Sequence, residues 1–336
     1  MWQREIEVDV AVGGVIKYRL RGLHFHFKYE GRLGWTADQC RVDIYNLDVD
    51  TVMGLMSGTV QEQEVQVFLR AGYEDEREEG ELPTVLVGVV MNVFSRRLLP
   101  NYITTLYCVP LAAASVSKKQ EQTVVIPRNT TVDGAFTILK NKFKLTQHQY
   151  FGVPDATKNI KLSGMDLAGP IRTMYAKVAR AASCHVKFTS SEVRIISRLR
   201  SADTISYITS QRGARTLDIQ RVKGVPSTGM GTIDVPYVMD ASIEPGMVMD
   251  VTALQSQDAS RKTSGVDAGF LAYSVDGTIN PGTGNALFRD EDVFRWAVKP
   301  EYQIFAVVHE GSTHIDVWDS TINGIVYNPG TNGANE

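Results

Sequence analysis

The chain has 336 residues, of which 43% are hydrophobic and 22% charged, an ordinary globular composition that can fill two or three cores. A formal net charge of -3 and a pI near 6.1 argue against a general nucleic-acid binder, which needs an excess of Lys and Arg to displace phosphate counterions. Cys40, Cys108 and Cys184 are too few and too scattered for a disulfide framework or a thiolate zinc site, and are expected to be reduced and buried.

The opening residues, MWQREIEVDV, mix charge and apolar character and lack the basic region and apolar run of a signal peptide. No stretch reaches the roughly 18 apolar residues of a membrane helix. The expectation is a protein made and used without crossing a membrane by its own signal, with no membrane insertion.

The first third reads as strands. In Leu23 to Tyr29, Leu23, Phe25, Phe27 and Tyr29 share one face and His24, His26 and Lys28 the other, the period of two of a half-buried strand. Further strands are expected at Cys40 to Tyr45, Val65 to Leu69, Val85 to Phe94 and Tyr102 to Val109, with the acidic stretch Glu74 to Glu81 as a solvated hairpin loop.

A polar segment, Ser115 to Gln122, then changes the pattern. After the strand-like Val124 to Pro127, Ala135, Ile138 and Leu139 fall at helical spacing behind a hydroxyl residue that can cap the helix. A second helix is predicted over Asp166 to Ala182, with Leu167, Ile171, Met174, Tyr175 and Val178 as its apolar stripe and Pro170 in its first turn. A hairpin follows, His185 to Phe188 and Val193 to Ile196, turning at Thr189-Ser190-Ser191.

Strands return at Ile205 to Ile208, Thr216 to Val222, Thr232 to Met239 and Met247 to Leu254, the last entered through the tight turn Ile243-Glu244-Pro245-Gly246. Residues 255–300 form a long excursion, rich in Ser, Gly, Asp and Thr as far as Asn285. Gln303 to His309 and Thr313 to Ile325 make a closing hairpin with Gly311 at its turn, and Asn328 to Glu336 have tail composition.

No catalytic constellation emerges. Gly229-Met230-Gly231 and Gly282-Thr283-Gly284 lack the following helix of a phosphate loop, and neither a G-x-S-x-G elbow nor H-E-x-x-H occurs. His24 and His26 would point to one side of a strand, but a zinc site takes three or four ligands, and a wet strand face shows the same alternation. His309 and His314 could act with Glu310 or Asp316 as acid and base, or His309 could hold the turn by a structural hydrogen bond, the simpler expectation. Asp48/Asp50 and Glu291/Asp292 could flank a sugar, as in glycoside hydrolysis, yet acid-dense loops are common. The expected catalytic, cofactor-binding and metal sites are therefore none.

Two ends of the chain carry a resemblance. Arg21-Gly22-Leu23-His24-Phe25-His26-Phe27, followed by Gln39 to Leu47 ending in IYNL, resembles the opening of the baseplate hub proteins of tailed bacteriophages. VQVFLRAGY at Val65 to Tyr73 and LVGVVMNV at Leu86 to Val93 continue it. Ile243 to Gly246 resembles that family's I-x-PG turn, and Tyr302 to Gly311 with Trp318 to Thr321 its closing hairpin. Each motif is weak alone; in order they span about two-thirds of the chain.

The resemblance implies a mainly β chain with an α+β insert: two tail-tube-like β-barrels, residues 1–114 and 204–336, around a small α/β module, residues 115–203. It implies a structural, non-enzymatic hub forming a homotrimeric ring, whose six barrels adapt a sixfold tail tube to a threefold central spike. The implied partners are tail-tube or tube-initiator proteins, the spike and other baseplate subunits, in the virion after assembly in the host cytoplasm. DNA would pass through the channel without sequence-specific binding, past a neutral or acidic wall. The rival expectation is a tail-associated, β-rich carbohydrate-binding or carbohydrate-cleaving protein.

Overall fold

The computed structural model describes residues 4–326 apart from 35–36, 61–63, 78–79, 118–121, 144–147, 190–191, 199–214, 224–225, 230–231 and 251–300. The strand expected at Ile205 to Ile208, the 255–300 excursion with Glu291/Asp292, the residues from Val251 to Leu254, Ser190-Ser191 and the tail from Asn328 lie outside the described residues. The chain is mainly β with a few helices and divides into two compact units. One comprises Met1–Arg198, Met239–Pro245 and Ala306–Ser320; the other comprises Leu199–Val238, Gly246–Phe305 and Thr321–Glu336.

The first unit opens with β1 (Arg4–Val12), β2 (Val15–Leu20), β3 (His24–Arg32) and β4 (Gln39–Tyr45). Helix α1 (Val49–Val60) separates these from β5 (Val65–Tyr73), β6 (Thr84–Leu98) and β7 (Asn101–Pro110). The strands pair antiparallel in the order β3-β4-β7-β6-β5-β1-β2. The predicted alternation in β3 is present: Phe25, Phe27 and Tyr29 are buried, while His24 and Lys28 are exposed. Strand β1 is enclosed on both faces. Ile6, Val8 and Val10 fill one, and on the other Glu7 and Asp9 are neutralised by Arg21, Arg70 and Arg77.

Helix α1 escapes the strand pattern because Gly54, Gly58 and β-branched Val and Thr blur its period. Its start is nonetheless marked: the Thr51 N–H donates to Asp48 Oδ1 at 2.8 Å, an N-cap bond. Within the acidic stretch, Glu74–Glu76 form a 3-10 turn, after which Arg77 turns back to Glu5 and Glu7, and Glu81 reaches Arg70 at 3.4 Å.

The α/β module begins with α2 (Leu111–Ser117), which starts within what reads in sequence as the approach to a polar segment. It continues with β8 (Gln122–Ile126), α3 (Val132–Phe143), β9 (His148–Phe151), α4 (Asp155–Lys158), β10 (Met165–Gly169), α5 (Ile171–Ala181), β11 (Cys184–Phe188) and β12 (Val193–Ser197). Thr131 Oγ1 accepts the Gly134 N–H at 3.1 Å and caps α3 as predicted. The helix expected over Asp166 to Ala182 is corrected: residues 166–169 belong to β10, paired antiparallel with β8, and Leu167 faces Val124 there. Gly169 sits at φ +103 and the residue before a proline avoids the helical region, so the helix cannot begin before Pro170, its N-cap. Phe136, Leu139, Met174, Tyr175, Val178, Phe188 and Ile195 form the heart of the module's core.

The second unit contains β13 (Arg215–Thr216), β14 (Ser227–Gly229), β15 (Thr232–Val238) and β16 (Val248–Asp250). The strand expected over Thr216 to Val222 is replaced by β13, a 3-10 turn at Ile219–Arg221 and a single bridge from Val222 to Tyr237. Asp218 stops the strand, its Oδ1 taking the Gln220 N–H at 2.9 Å.

β17 (Glu301–Ser312) and β18 (Trp318–Val326) contribute residues to both units. In the second, Val248 of β16 faces Gln303, and Asn323 Nδ2 donates to Asp234 Oδ1 at 2.5 Å. In the first, Ala306 to Ser312 pair with β3, so the closing strand lies beside an opening one. Gly311, expected at the hairpin turn, is instead inside β17 opposite Phe27; the turn lies at residues 313–317. A Cβ at Gly311 would stand 2.6 Å from Phe27 Cε1 and 3.1 Å from Trp318 Cζ3, so glycine is there to admit two rings.

Candidate functional site

The seam where β17 meets β3 gathers the histidines and carboxylates singled out in the sequence, and strand alternation deals them onto two faces. On the inner face His309 stands opposite Tyr29, their rings stacked with centroids 5.7 Å apart. On the outer face His26 neighbours Asp43 of β4 and reaches diagonally to Glu310.

His309 is buried and links three segments. Its Nε2–H donates to the Ile243 carbonyl at 3.0 Å, so Nδ1 accepts the Ser320 hydroxyl proton at 2.7 Å, and Ser320 Oγ in turn accepts the Asp240 N–H at 3.1 Å. Burial pushes the imidazole pKa down to about 4, against the raising effect of the Ile243 carbonyl. These bonds are structural, but they tie His309 to Ile243 of the I-x-PG turn and to Ser320 of β18 and not to the residues about Gly311, where the hairpin turn was expected. Glu310 points to the opposite face, and Asp316 is bound by Arg4 at 2.9 Å, so neither joins His309.

Beside Tyr29 lies a buried ion pair that the sequence did not suggest. Asp38 Oδ2 accepts the Tyr29 hydroxyl at 2.7 Å and lies 3.0 Å from Lys187 Nζ of β11; Asp38 Oδ1 takes the Arg32 N–H at 3.1 Å. Burial, then the Asp38 charge, drives the Tyr29 pKa well above its usual value, so its hydroxyl keeps its proton. Arg194 of β12 bridges Glu192 at 2.6 Å and Glu244. A charged residue within the β11 pattern was the available signal, but only the tertiary fold shows that Lys187 is enclosed.

On the outer face, Arg41 grips Asp43 with two bonds of 3.0 and 2.7 Å, and Thr105 donates to Asp43 at 2.6 Å. Burial would raise the Asp43 pKa, but His26, Arg41 and Thr105 outweigh it and hold the carboxyl at about 2. Asp43, 3.8 Å from Nδ1, is the foremost influence raising the His26 pKa, ahead of the opposing effect of burial and the 2.9 Å bond to Glu310. His24 lies against His314 with ring centroids 3.8 Å apart. Among the described residues, no group of three or more His, Cys, Asp or Glu converges to hold a metal ion.

Next to this row, Lys28, Glu30, Gln39, Arg41, Met91 and Tyr107 line a shallow depression of about 470 Å³. Its charges are already matched, Lys28 with Glu30 at 3.0 Å and Arg41 with Asp43. Cys40 and Cys108 face each other across β4 and β7 beneath it, both free and buried, and burial raises both thiol pKa values, that of Cys108 to about 12. Such thiols are poor nucleophiles. On this face, among the described residues, Lys28, Arg41, Asp43, His26, Glu30 and Glu310 are engaged in ion pairs with one another. No described helix is long and apolar enough to cross a membrane.

No protein-family model matches the sequence, and no curated protein does. Solved structures do match. The 43 kDa tail protein of prophage MuSo2 from Shewanella oneidensis is similar over 96% of this chain and 98% of its own, with a TM-score of 0.54 at 8% identity. A tail protein from Neisseria meningitidis MC58 is similar over 97% of this chain and 98% of its own, with a TM-score of 0.53 at 11% identity. A chain of the lidded Francisella PdpA-VgrG complex is similar over 96% of this chain but 52% of its own, with a TM-score of 0.52 at 8% identity. This chain has the fold of those two tail proteins.

Proposed function

We propose that this chain is a structural hub subunit of a phage tail baseplate. The observation that carries the proposal is the likeness of nearly the whole chain to nearly the whole of two tail proteins. Three copies would close into a ring about the DNA channel and join the tail tube, or its initiator, to a central spike, with other baseplate subunits around them. The β-rich regions 1–114 and 204–336 would each supply a tube-like barrel, so that three chains offer six equivalent positions to the tube and threefold symmetry to the spike. Residues 115–203 would form the module between them. The ring would reside in the virion, at the tail baseplate, after assembly in the host cytoplasm. The surface chemistry supports a contact role over a catalytic one, because the histidines and carboxylates of the β3–β17 seam are engaged with one another or with the backbone.

Antibody labelling of intact particles tests the location: label is expected at the distal end of the tail, and label along its length or on the head would overturn the hub role. Solution mass and imaging of the purified chain test the assembly, with threefold rings around a neutral or acidic channel expected. A channel lined by Lys and Arg would contradict passage of DNA, which it would retain.

A further inference from the structure

β6 has chemically opposite ends. It runs for 15 residues, about 45 Å at ~3.3 Å per residue. Its start lies beside the end of β5, where the Ala71 N–H donates to the Pro83 carbonyl at 3.0 Å, and Glu74 and Asp75 follow directly. Both acids are exposed, and neither forms an ion pair among the described residues, whereas the nearby Arg70 and Arg77 are already held by Asp9, Glu5 and Glu7. At the far end the β6–β7 hairpin carries Arg96 and Arg97, also exposed and without an ion pair among the described residues. Beside them Leu98, Leu99 and Tyr102 are 57%, 74% and 51% exposed.

This tip is held in shape. The Asn46 N–H donates to the Tyr102 carbonyl at 2.8 Å, the Tyr102 N–H returns to Asn46 Oδ1 at 3.0 Å, and Asn46 Nδ2 donates to Asn101 Oδ1 at 3.1 Å. The Arg97 guanidinium lies over the Tyr102 ring, 5.7 Å from its centroid. A preorganised apolar tip flanked by cations loses little freedom on docking, and buried aromatic and arginine anchors carry most of a protein interface.

We infer that the Arg96–Tyr102 tip of one copy docks on the Glu74–Asp75 end of a second copy, a head-to-tail contact between identical chains. Two arginines at one end of the β5–β6 pair and two acids at the other, none in an ion pair among the described residues, are complementary between copies and lie too far apart to meet within one. Head-to-tail contacts generate closed rings or open filaments. That three copies close the circle rests on the hub proposal; the contact itself does not.

Sedimentation of the full chain across concentration and salt tests the contact. Self-association that weakens as salt rises is expected. R96E/R97E and E74K/D75K should each raise the dissociation constant at least about tenfold, and the quadruple variant should return to within about threefold of the parent. L98S/L99S, which leaves the charges intact, should also weaken it about tenfold or more. All these positions are exposed, so circular dichroism should be unchanged. A quadruple variant no stronger than either double, doubles indistinguishable from the parent, or a chain monomeric at every concentration would each overturn the inference. A threefold ring untouched by the reversals would overturn this contact while leaving the hub proposal standing. Open-ended, charge-dependent polymers would uphold the contact and count against the ring.

Discussion

Lys187 and Asp38 form an ion pair with 3% and 2% of their side chains exposed, joining β11 of the α/β module to the loop between β3 and β4. Two charges taken out of water in this way depend on each other: removing one leaves the other buried without compensation. Lys187→Met should therefore cost about 3–5 kcal/mol of unfolding free energy. The double change Lys187→Met with Asp38→Asn should cost less than Lys187→Met alone. Denaturant unfolding of the three proteins checks the order, and a double variant worse than the single would show that packing, not charge, dominates.

Gly311 is required by its neighbours. Gly311→Ala places a methyl against the Phe27 and Trp318 rings, an overpacking expected to cost about 1–3 kcal/mol. Adding Phe27→Leu should recover part of that loss by vacating the space. Thermal unfolding of the single and double variants provides the comparison.

The pH dependence has two opposite components. His309 is held neutral in the fold down to about pH 4, while an unfolded chain protonates it near its ordinary value of 6.5. Its contribution is therefore complete above pH 6.5 and lost as pH falls toward 4, because the unfolded state binds the extra proton. Burial lowers His148 and His185 to about 4 as well, and they act in the same direction. His309→Gln should flatten the fall in stability between pH 7 and pH 4.5, by on the order of 1–2 kcal/mol. The titration of His309 by NMR gives the independent measurement.

His26 works the other way. Its pKa is raised by Asp43 first and by Glu310, so its contribution is present below pH 6.5 and lost as pH rises through the raised value. Asp43, lowered from 3.8 to about 2, contributes above pH 3.8 and loses it as pH falls through 2. The pair is thus most stabilising between about pH 4 and 6.5. His26→Ala should cost more at pH 5.5 than at pH 8.5, with a difference of about 0.5–1 kcal/mol in denaturant unfolding.

Local pattern carried several strands, though not β1, β2, β9 or β10, and carried the long-range polar contacts poorly. The alternation of Phe25, Phe27 and Tyr29, the cap at Thr131 and the stripe from Ile171 to Val178 were all legible, because each is a relation between residues a few positions apart. Helix α1 was not, since glycines and β-branched residues diluted its period, and tertiary packing decides such segments. Leu167 has the spacing of a helical residue but belongs to β10, and only the Gly169-Pro170 step separates it from the helix. The Lys187–Asp38 pair joins positions 149 residues apart, and no local rule reports whether a lysine is enclosed. His309 illustrates the same limit: its bond to Ser320 follows from the hairpin, whereas its bond to Ile243 spans 66 residues.

The pairing of β3 with β17 has a consequence for biosynthesis. His26 and Glu310 are 284 positions apart, so as the chain leaves the ribosome β3 has its neighbour β4 long before β17 exists. Until then one rim of the nascent sheet presents unpaired amides and carbonyls, the kind of surface that recruits stray strands or chaperones. Chains released early, before about residue 306, would keep that rim open, and are expected to aggregate rather than persist as shortened competitors of the full-length protein.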